Sequence, residues 1–129
     1  IEINSADTLQ LDEIKGIGAA FAKRITKYRE RLGGFYKKEQ LMEVYGLDSA
    51  KFGEIKDQVK INPVHIKKID INTATFDEMK NHPYLKYKEI NAIIQYRKQH
   101  GKYNSIEDLK KVIILSPQTI QNLAPYLSF

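Results

Sequence analysis

The sequence contains no cysteine, which excludes disulfide bridges and thiolate metal sites and leaves the redox compartment open. No apolar run approaches the roughly 20 residues of a membrane-spanning helix, so this segment itself is not expected to contact a membrane. The histidines His65, His82 and His100 are scattered without metal-ligand spacing. No nucleophile–base pair or paired-carboxylate site stands out. The expectation is therefore a non-enzymatic chain with no cofactor and no metal. The chain begins at Ile1 rather than Met. That start predicts a fragment or processed product and leaves room for an upstream signal or a cell-envelope anchor.

What the sequence does contain is itself, twice. Ile3-Asn4-Ser5-Ala6-Asp7 returns as Ile71-Asn72-Thr73-Ala74-Thr75, Tyr28-Arg29 as Tyr96-Arg97, Gly33 as Gly101, Phe35 as Tyr103 and Glu39-Gln40-Leu41 as Glu107-Asp108-Leu109. The offset is constant at 68 residues, with no gap. A fixed period means one folding unit used twice. The expected division is a first repeat over 1–60, a linker over 61–70 and a second repeat over 71–129. The full length of 129 residues suits two small units, each marginal on its own. The net charge of +5 is uneven. Residues 1–62 carry 11 Lys and Arg against 10 Asp and Glu, and residues 63–129 carry 10 against 6. A modest basic excess permits a polyanionic partner without requiring one.

Each half reads as short helices joined by tight turns. Asp7 and Thr75 are N-cap candidates, with Gln10 and Glu78 completing capping boxes. The short helices they start are expected to end near Ile14 and His82. A longer helix follows, with Phe21, Ile25, Tyr28 and Leu32 on one face, and Ile90, Ile93 and Ile94 in the second half. Gly33 and Gly101 end these helices. A third short helix is expected near 38–44 and 105–112, with a capping box from Ser105 and Asp108. Asp48 and Ser116 then cap a final helix, with Pro117 at its first position. Strand signals are weak, and only the stretch 60–70 looks extended. The predicted class is all-α, with two tandem units of two helix–turn–helix pairs each.

Gly16-Ile17-Gly18 is the element that carries chemistry. Glycine allows the positive φ that reverses a chain quickly and lets a large group approach the backbone. Ile17 is placed to point inward and pin the turn. The N–H groups that open the next helix, from Ala19, lack intrahelical partners and form an anion site that suits a phosphate diester. Tyr28 and Tyr96 read as packing residues. Arg29 and Arg97 fit a structural bond to a neighbouring turn as well as they fit DNA. Asn4 and Asn72 are expected to hold the first turn.

The full set of residues resembles the helix-hairpin-helix repeat of ComEA-like competence and DNA-uptake proteins. Asn4-Ser5-Ala6, Leu11, Ile14, Gly16-Ile17-Gly18, Ala22, Ile25, Tyr28-Arg29, Gly33, Phe35, Glu39 and Leu41 carry the likeness in the first half. Asn72-Thr73-Ala74, Met79, Pro83, Ile93, Tyr96-Arg97, Gly101, Tyr103, Glu107 and Leu109 carry it in the second. The doubled arrangement is similar to tandem-repeat members in Bacteroidetes. The resemblance implies a SAM-domain-like (HhH)2 topology in each half. It also implies double-stranded DNA as partner, held by its phosphates without sequence preference across the minor groove.

The departures from that pattern are specific. Only Gly16-Ile17-Gly18 is intact. Asp48 replaces the second glycine of the second hairpin, which keeps Gly46. Tyr84 and Lys86 replace both glycines in the third hairpin, and Ile114 and Ser116 replace both in the fourth. A basic residue often follows the second glycine by three positions, where this chain has Phe21. The candidate phosphate contacts are Gly16, Ile17, Gly18, Ala19, Lys23, Arg24 and Gly46, with Lys27 nearby on the same helix. In the second half they are Lys86 and Lys88. The alternative reading is a structural or protein-interaction module, with protein partners, that has lost DNA binding and bears an exposed apolar patch.

Overall fold

The computed structural model describes residues 1–129, and the chain divides into two compact units, Ile1–Ile66 and Lys67–Phe129. Each is helical. Unit 1 contains α1 (Thr8–Asp12), α2 (Ala19–Leu32), a 3-10 helix (Lys38–Glu43) and α3 (Ser49–Ile55), followed by 3-10 turns at Lys56–Gln58 and Pro63–His65. Unit 2 contains β1 (Ile69–Asp70), α4 (Phe76–Met79), α5 (Tyr87–His100), α6 (Ile106–Leu109), α7 (Pro117–Leu123), a 3-10 turn (Ala124–Tyr126) and β2 (Leu127–Ser128).

One burial pattern recurs four times and explains why such short helices hold together. Leu11, Ile14 and Ile17 are buried at three-residue spacing, as are Leu41, Val44 and Leu47; Met79, His82 and Leu85; and Leu109, Val112 and Leu115. In each triplet the first residue lies on a short helix. The second and third bracket a tight turn closed by a backbone bond: Ile17 N–H to Ile14 O (3.0 Å), Leu47 to Val44 (3.0 Å), Leu85 to His82 (3.2 Å) and Leu115 to Val112 (3.0 Å). Helices of four or five residues are not stable alone. Here three buried anchors per hairpin fasten them to the core, all apolar except His82, and each apolar one is worth about 1.5–3 kcal/mol when fully buried. These turns, residues 14–17, 44–47, 82–85 and 112–115, are hairpins 1 to 4 below.

The long helices are ordinary amphipathic elements. In α2 the buried face is Ala22, Ile25 and Leu32, and Gly33 ends the helix in the left-handed conformation (φ 94°). The α5 counterpart buries Ile90 and Ile93 and ends at Gly101 (φ 85°). Asparagine and arginine tie the long helices to the start of each unit. The Asn4 side chain accepts from Phe35 N–H (2.7 Å) and donates to Phe35 O (2.8 Å). Asn72 does the same with Tyr103 (2.8 and 3.0 Å). Their role is thus to lock a segment 31 residues away, beyond the local turn expected from the sequence. Arg29 donates to Ile3 O and Ala6 O, and Arg97 to Ile71 O, so both are occupied structurally. Tyr96 stacks on buried Tyr103 at 5.5 Å, and Tyr28 lies 6.2 Å from Phe35.

Three local expectations need correction. The Ser105 side chain forms no cap; the Asp108 carboxylate instead accepts from Asn104 N–H at 2.7 Å, one residue earlier. The third short helix of unit 1 is 3-10, and its unit 2 counterpart is the four-residue α6. There is also strand pairing, though it is minimal. β1 pairs in parallel with β2, and Glu2 pairs likewise with Lys60, closing each unit by joining its start to its end. Two residues per strand are too few to leave a periodic signature. The remaining caps form as expected: Asp7 with a complete box from Gln10, Asp48 on Lys51 N–H and Ser116 on Thr119 N–H; Thr75 caps Glu78 N–H, but the Glu78 carboxylate accepts from the Thr75 hydroxyl, so the box is left half made.

Candidate nucleic-acid interface

Hairpin 1 turns on Gly16, whose φ is +98°. Lys15 has no positive φ, so the turn is type II, with glycine at its third position. Gly46 (φ 82°) gives hairpin 2 the same geometry. Tyr84 and Ile114 have negative φ, which leaves hairpins 3 and 4 with the type I form. The two forms differ by a flip of the central peptide. In hairpin 3 the flipped Tyr84 N–H donates to His82 Nδ1 at 3.1 Å, so the buried His82 ring fixes the turn from inside. His82, Tyr84 and Tyr126 pack edge to face around it, with centroids 5.3–6.1 Å apart.

Hairpin 1 is held differently. The Gln58 side chain accepts from Lys15 N–H (2.8 Å) and donates to Lys15 O (3.0 Å). One amide thus satisfies both backbone groups of the tip residue. The corresponding tip residue of hairpin 3 is Pro83, which has no N–H to satisfy, and the residue corresponding to Gln58 is Tyr126 of the aromatic cluster.

The start of α2 is the open feature. Gly18 is its N-cap, extended at φ −98°, and offers no side-chain acceptor. The first helical bond runs from Ala22 N–H to Gly18 O (2.9 Å), so the N–H groups of residues 19–21 have no intrahelical partner. Space outside Gly18 is free: a Cβ there would meet nothing within 4 Å. Of the other three post-hairpin helices, α3 and α7 have side-chain caps, while α5, whose N-cap Lys86 supplies none, carries Glu89 in its first turn, bonded to the N-cap's own N–H. Asp48 accepts from Lys51 N–H (2.9 Å), Glu89 from Lys86 N–H (2.8 Å) and Ser116 from Thr119 N–H (3.1 Å).

The two halves of unit 1 are also related to each other, with an offset of 30 residues. That relation places Arg24 opposite Glu54 and Phe21 opposite Lys51. A Cβ on Gly46 would lie 2.9 Å from an Arg24 guanidinium nitrogen, and a Cβ on Gly16 would lie 2.9 Å from Glu54 Oε2. Each hairpin therefore meets a charged side chain from the other pair's second helix, and the charges are opposite. Arg24 sits at hairpin 2, donating to Tyr45 O at 3.4 Å. Glu54 sits at hairpin 1 and is paired with Lys51 at 3.5 Å.

Of the residues proposed from sequence, Gly16, Ile17, Gly18 and Ala19 form one continuous element, with Ile17 buried and its neighbours exposed. Lys23 and Lys27 are exposed along α2. Arg24 joins Gly46 at hairpin 2. Lys86, the N-cap of α5, and Lys88 are exposed in unit 2. The sequence reading missed Gln58, Glu54, Lys51 and Tyr45. The 30-residue spacing of Leu11, Ile14 and Ile17 against Leu41, Val44 and Leu47 is the signal that would have paired them. No group of three or more His, Cys, Asp or Glu side chains is placed to hold a metal ion. No helix is long and apolar enough to cross a membrane.

The helix-hairpin-helix motif matches residues 1–60 and 64–128, so the chain belongs to the helix-hairpin-helix family. Its relatives include the endonuclease/exonuclease/phosphatase family domain-containing protein 1 of Xenopus laevis, 30% identical over 95% of this chain and 26% of that protein. The human protein of the same name is 27% identical over 87% of this chain and 25% of its own length. The human S1 RNA-binding domain-containing protein 1 is 34% identical over 52% of this chain and 7% of its own. The chain thus spans about a quarter of the length of the first two. No solved structure matches. The family association is with nucleic acid binding in general; the ComEA-like likeness finds no counterpart among these names.

Proposed function

We propose that this chain is a binding module for duplex DNA, that it grips the phosphate backbone without sequence preference, and that unit 1 is the binding half. The observation that carries this reading is the start of α2. Its N-cap is a glycine with open space around it, and its first turn carries no acid, whereas α3 and α7 are capped by Asp48 and Ser116 and α5 carries Glu89 in its first turn. Backbone N–H donors and the helix dipole suit an anion there. Lys23 stands one turn along, and Arg24 offers a second cation at hairpin 2. Contacts to phosphate position a protein on DNA and read no base. The reading is of a module and not an enzyme. Whatever chemistry the names of the longer relatives describe, this chain corresponds to about a quarter of their length. The ComEA-like resemblance would place the grip in DNA uptake; the proposal is confined to the grip itself.

The test is binding of labelled duplexes of unrelated sequence across a range of salt, comparing Lys23→Gln/Arg24→Gln with Lys86→Gln/Lys88→Gln. The unit 1 pair should weaken binding uniformly across sequences and flatten the salt slope by about 1 per lost phosphate contact. A larger loss from the unit 2 pair overturns the assignment to unit 1.

A second reading applies to unit 2. Its hairpins lack positive-φ glycines, and hairpin 4 presents Ile113, 95% exposed, beside half-exposed Ile114. Adjacent bare aliphatic residues at a turn support a protein-contacting role for this half, and their replacement by serine should leave DNA affinity unchanged.

A further inference from the structure

The second residues of the four hairpins differ in chemistry: Lys15, Tyr45, Pro83 and Ile113. Tyr45 is 82% exposed and yet is not an isolated surface aromatic. The Arg24 guanidinium lies 5.2 Å from its ring centroid and 5.3 Å from that of Phe21, and the Lys51 ammonium lies 5.8 Å from the Phe21 ring. Tyr45, Arg24, Phe21 and Lys51 therefore form a ladder of alternating aromatic and cationic groups. The guanidinium is fixed between two rings and by its bond to Tyr45 O. Other exposed tyrosines lack this backing: Tyr87 packs on Phe76 at 5.4 Å, and no cation is placed over Tyr36.

We infer that hairpin 2 is a nucleobase-stacking site, in which the exposed face of Tyr45 receives an unpaired base while Arg24 holds the adjoining phosphate. The inference rests on the phosphate-binding reading above and narrows its substrate to DNA with an unpaired base, such as a gap or a single-stranded end. The ligand class follows from the ladder. A cation-backed aromatic face selects a flat, π-rich group joined to an anion, and a nucleotide is both. Bases within a continuous duplex already stack on their neighbours and cannot reach Tyr45. A base without a partner can, and the ring, having no fixed hydrogen-bonding partner of its own, accepts any of the four. Arg24 interacts as a plane against the rings, so lysine would not substitute for it.

The experiment compares a blunt duplex with the same duplex carrying a one-nucleotide gap, with 2-aminopurine as the unpaired base. The full chain should bind the gapped DNA more tightly, by about 5- to 150-fold if one base stacks fully, and should quench the 2-aminopurine. Tyr45→Phe should keep both effects. Tyr45→Leu should bring the affinity ratio close to one and abolish the quenching. Equal affinity of the unmodified protein for both duplexes, or a preference that survives Tyr45→Leu, overturns the inference and leaves phosphate binding standing. Binding of the gapped DNA alone, dependent on Tyr45, supports the inference and overturns the duplex reading. Binding to neither at low salt overturns both.

Discussion

A Cβ at Gly16 meets two obstacles. Its φ of +98° costs an L-residue about 1–2 kcal/mol, and the new atom would press on Glu54 Oε2 at 2.9 Å. Gly18 meets neither, since its φ is negative and its surroundings are empty. The two glycines of one motif therefore differ: the first is required by the turn, and the second is free of that demand and lies at the proposed phosphate site. Gly16→Ala should lower the melting temperature of unit 1 by roughly 4–15 °C in a calorimetric scan, whereas Gly18→Ala should shift it little. The sequence made this glycine pair legible because the spacing is local. It did not reveal Glu54, whose place against Gly16 arises from α3 folding back across the turn. A carboxylate there opposes an incoming phosphate. Glu54→Gln should tighten DNA binding by about two- to fivefold at low salt, read by anisotropy; weaker binding would show that Glu54 supports the site.

At the scale of elements, capping explains which helix starts are closed. Aspartate, serine and threonine caps follow from local chemistry, and Asp7, Asp48, Thr75 and Ser116 act as expected. Ser105 supplies no cap, and the Asp108 carboxylate reaches past it to Asn104 N–H, a one-residue shift invisible in the residue order. Glycine repeats suggested that hairpins 3 and 4 had decayed. Instead they are intact turns of a different type, one of them built on His82. The longer-range locks are equally structural. Asn72→Ala strands two part-buried backbone groups of Tyr103 and should destabilise unit 2 by about 2–4 kcal/mol in denaturant titration. Burial pushes the Tyr103 hydroxyl, which donates to Ile93 O, up to about 12. Its raised value stabilises the fold fully below pH 10, and that contribution is lost as pH rises from 10 towards 12. Thermal melts across this window should fall more steeply for the unmodified protein than for Tyr103→Phe.

At the scale of the whole chain, the 68-residue repeat revealed two units and their helical class, because each of the four helices of one has a counterpart in the other. The same comparison separates their chemistry. Unit 1 retains two positive-φ hairpins, an open helix start and a guanidinium at the second turn. Unit 2 carries the greater positive charge, and its hairpins are sealed by aromatic and aliphatic side chains. Net charge alone therefore points to the half other than the one proposed to bind. The pairing of each turn with the opposite helix is legible only through the fainter 30-residue relation inside unit 1, which rests on three buried apolar positions and leaves the side chains that meet, Arg24 and Glu54, unlike each other. Gly18→Asp gives α2 the cap that α3 already has. It should hold or raise the melting temperature, by up to about 1 kcal/mol of stability, while placing a carboxylate on the proposed phosphate site. The most direct measurement is anisotropy of labelled duplex DNA with the unmodified chain and with Gly18→Asp, titrated with salt and accompanied by a melt of each. The account predicts salt-dependent binding with a log–log slope of roughly −2 to −4, lost in a variant that melts no lower. Equal duplex affinity of the two proteins would contradict it.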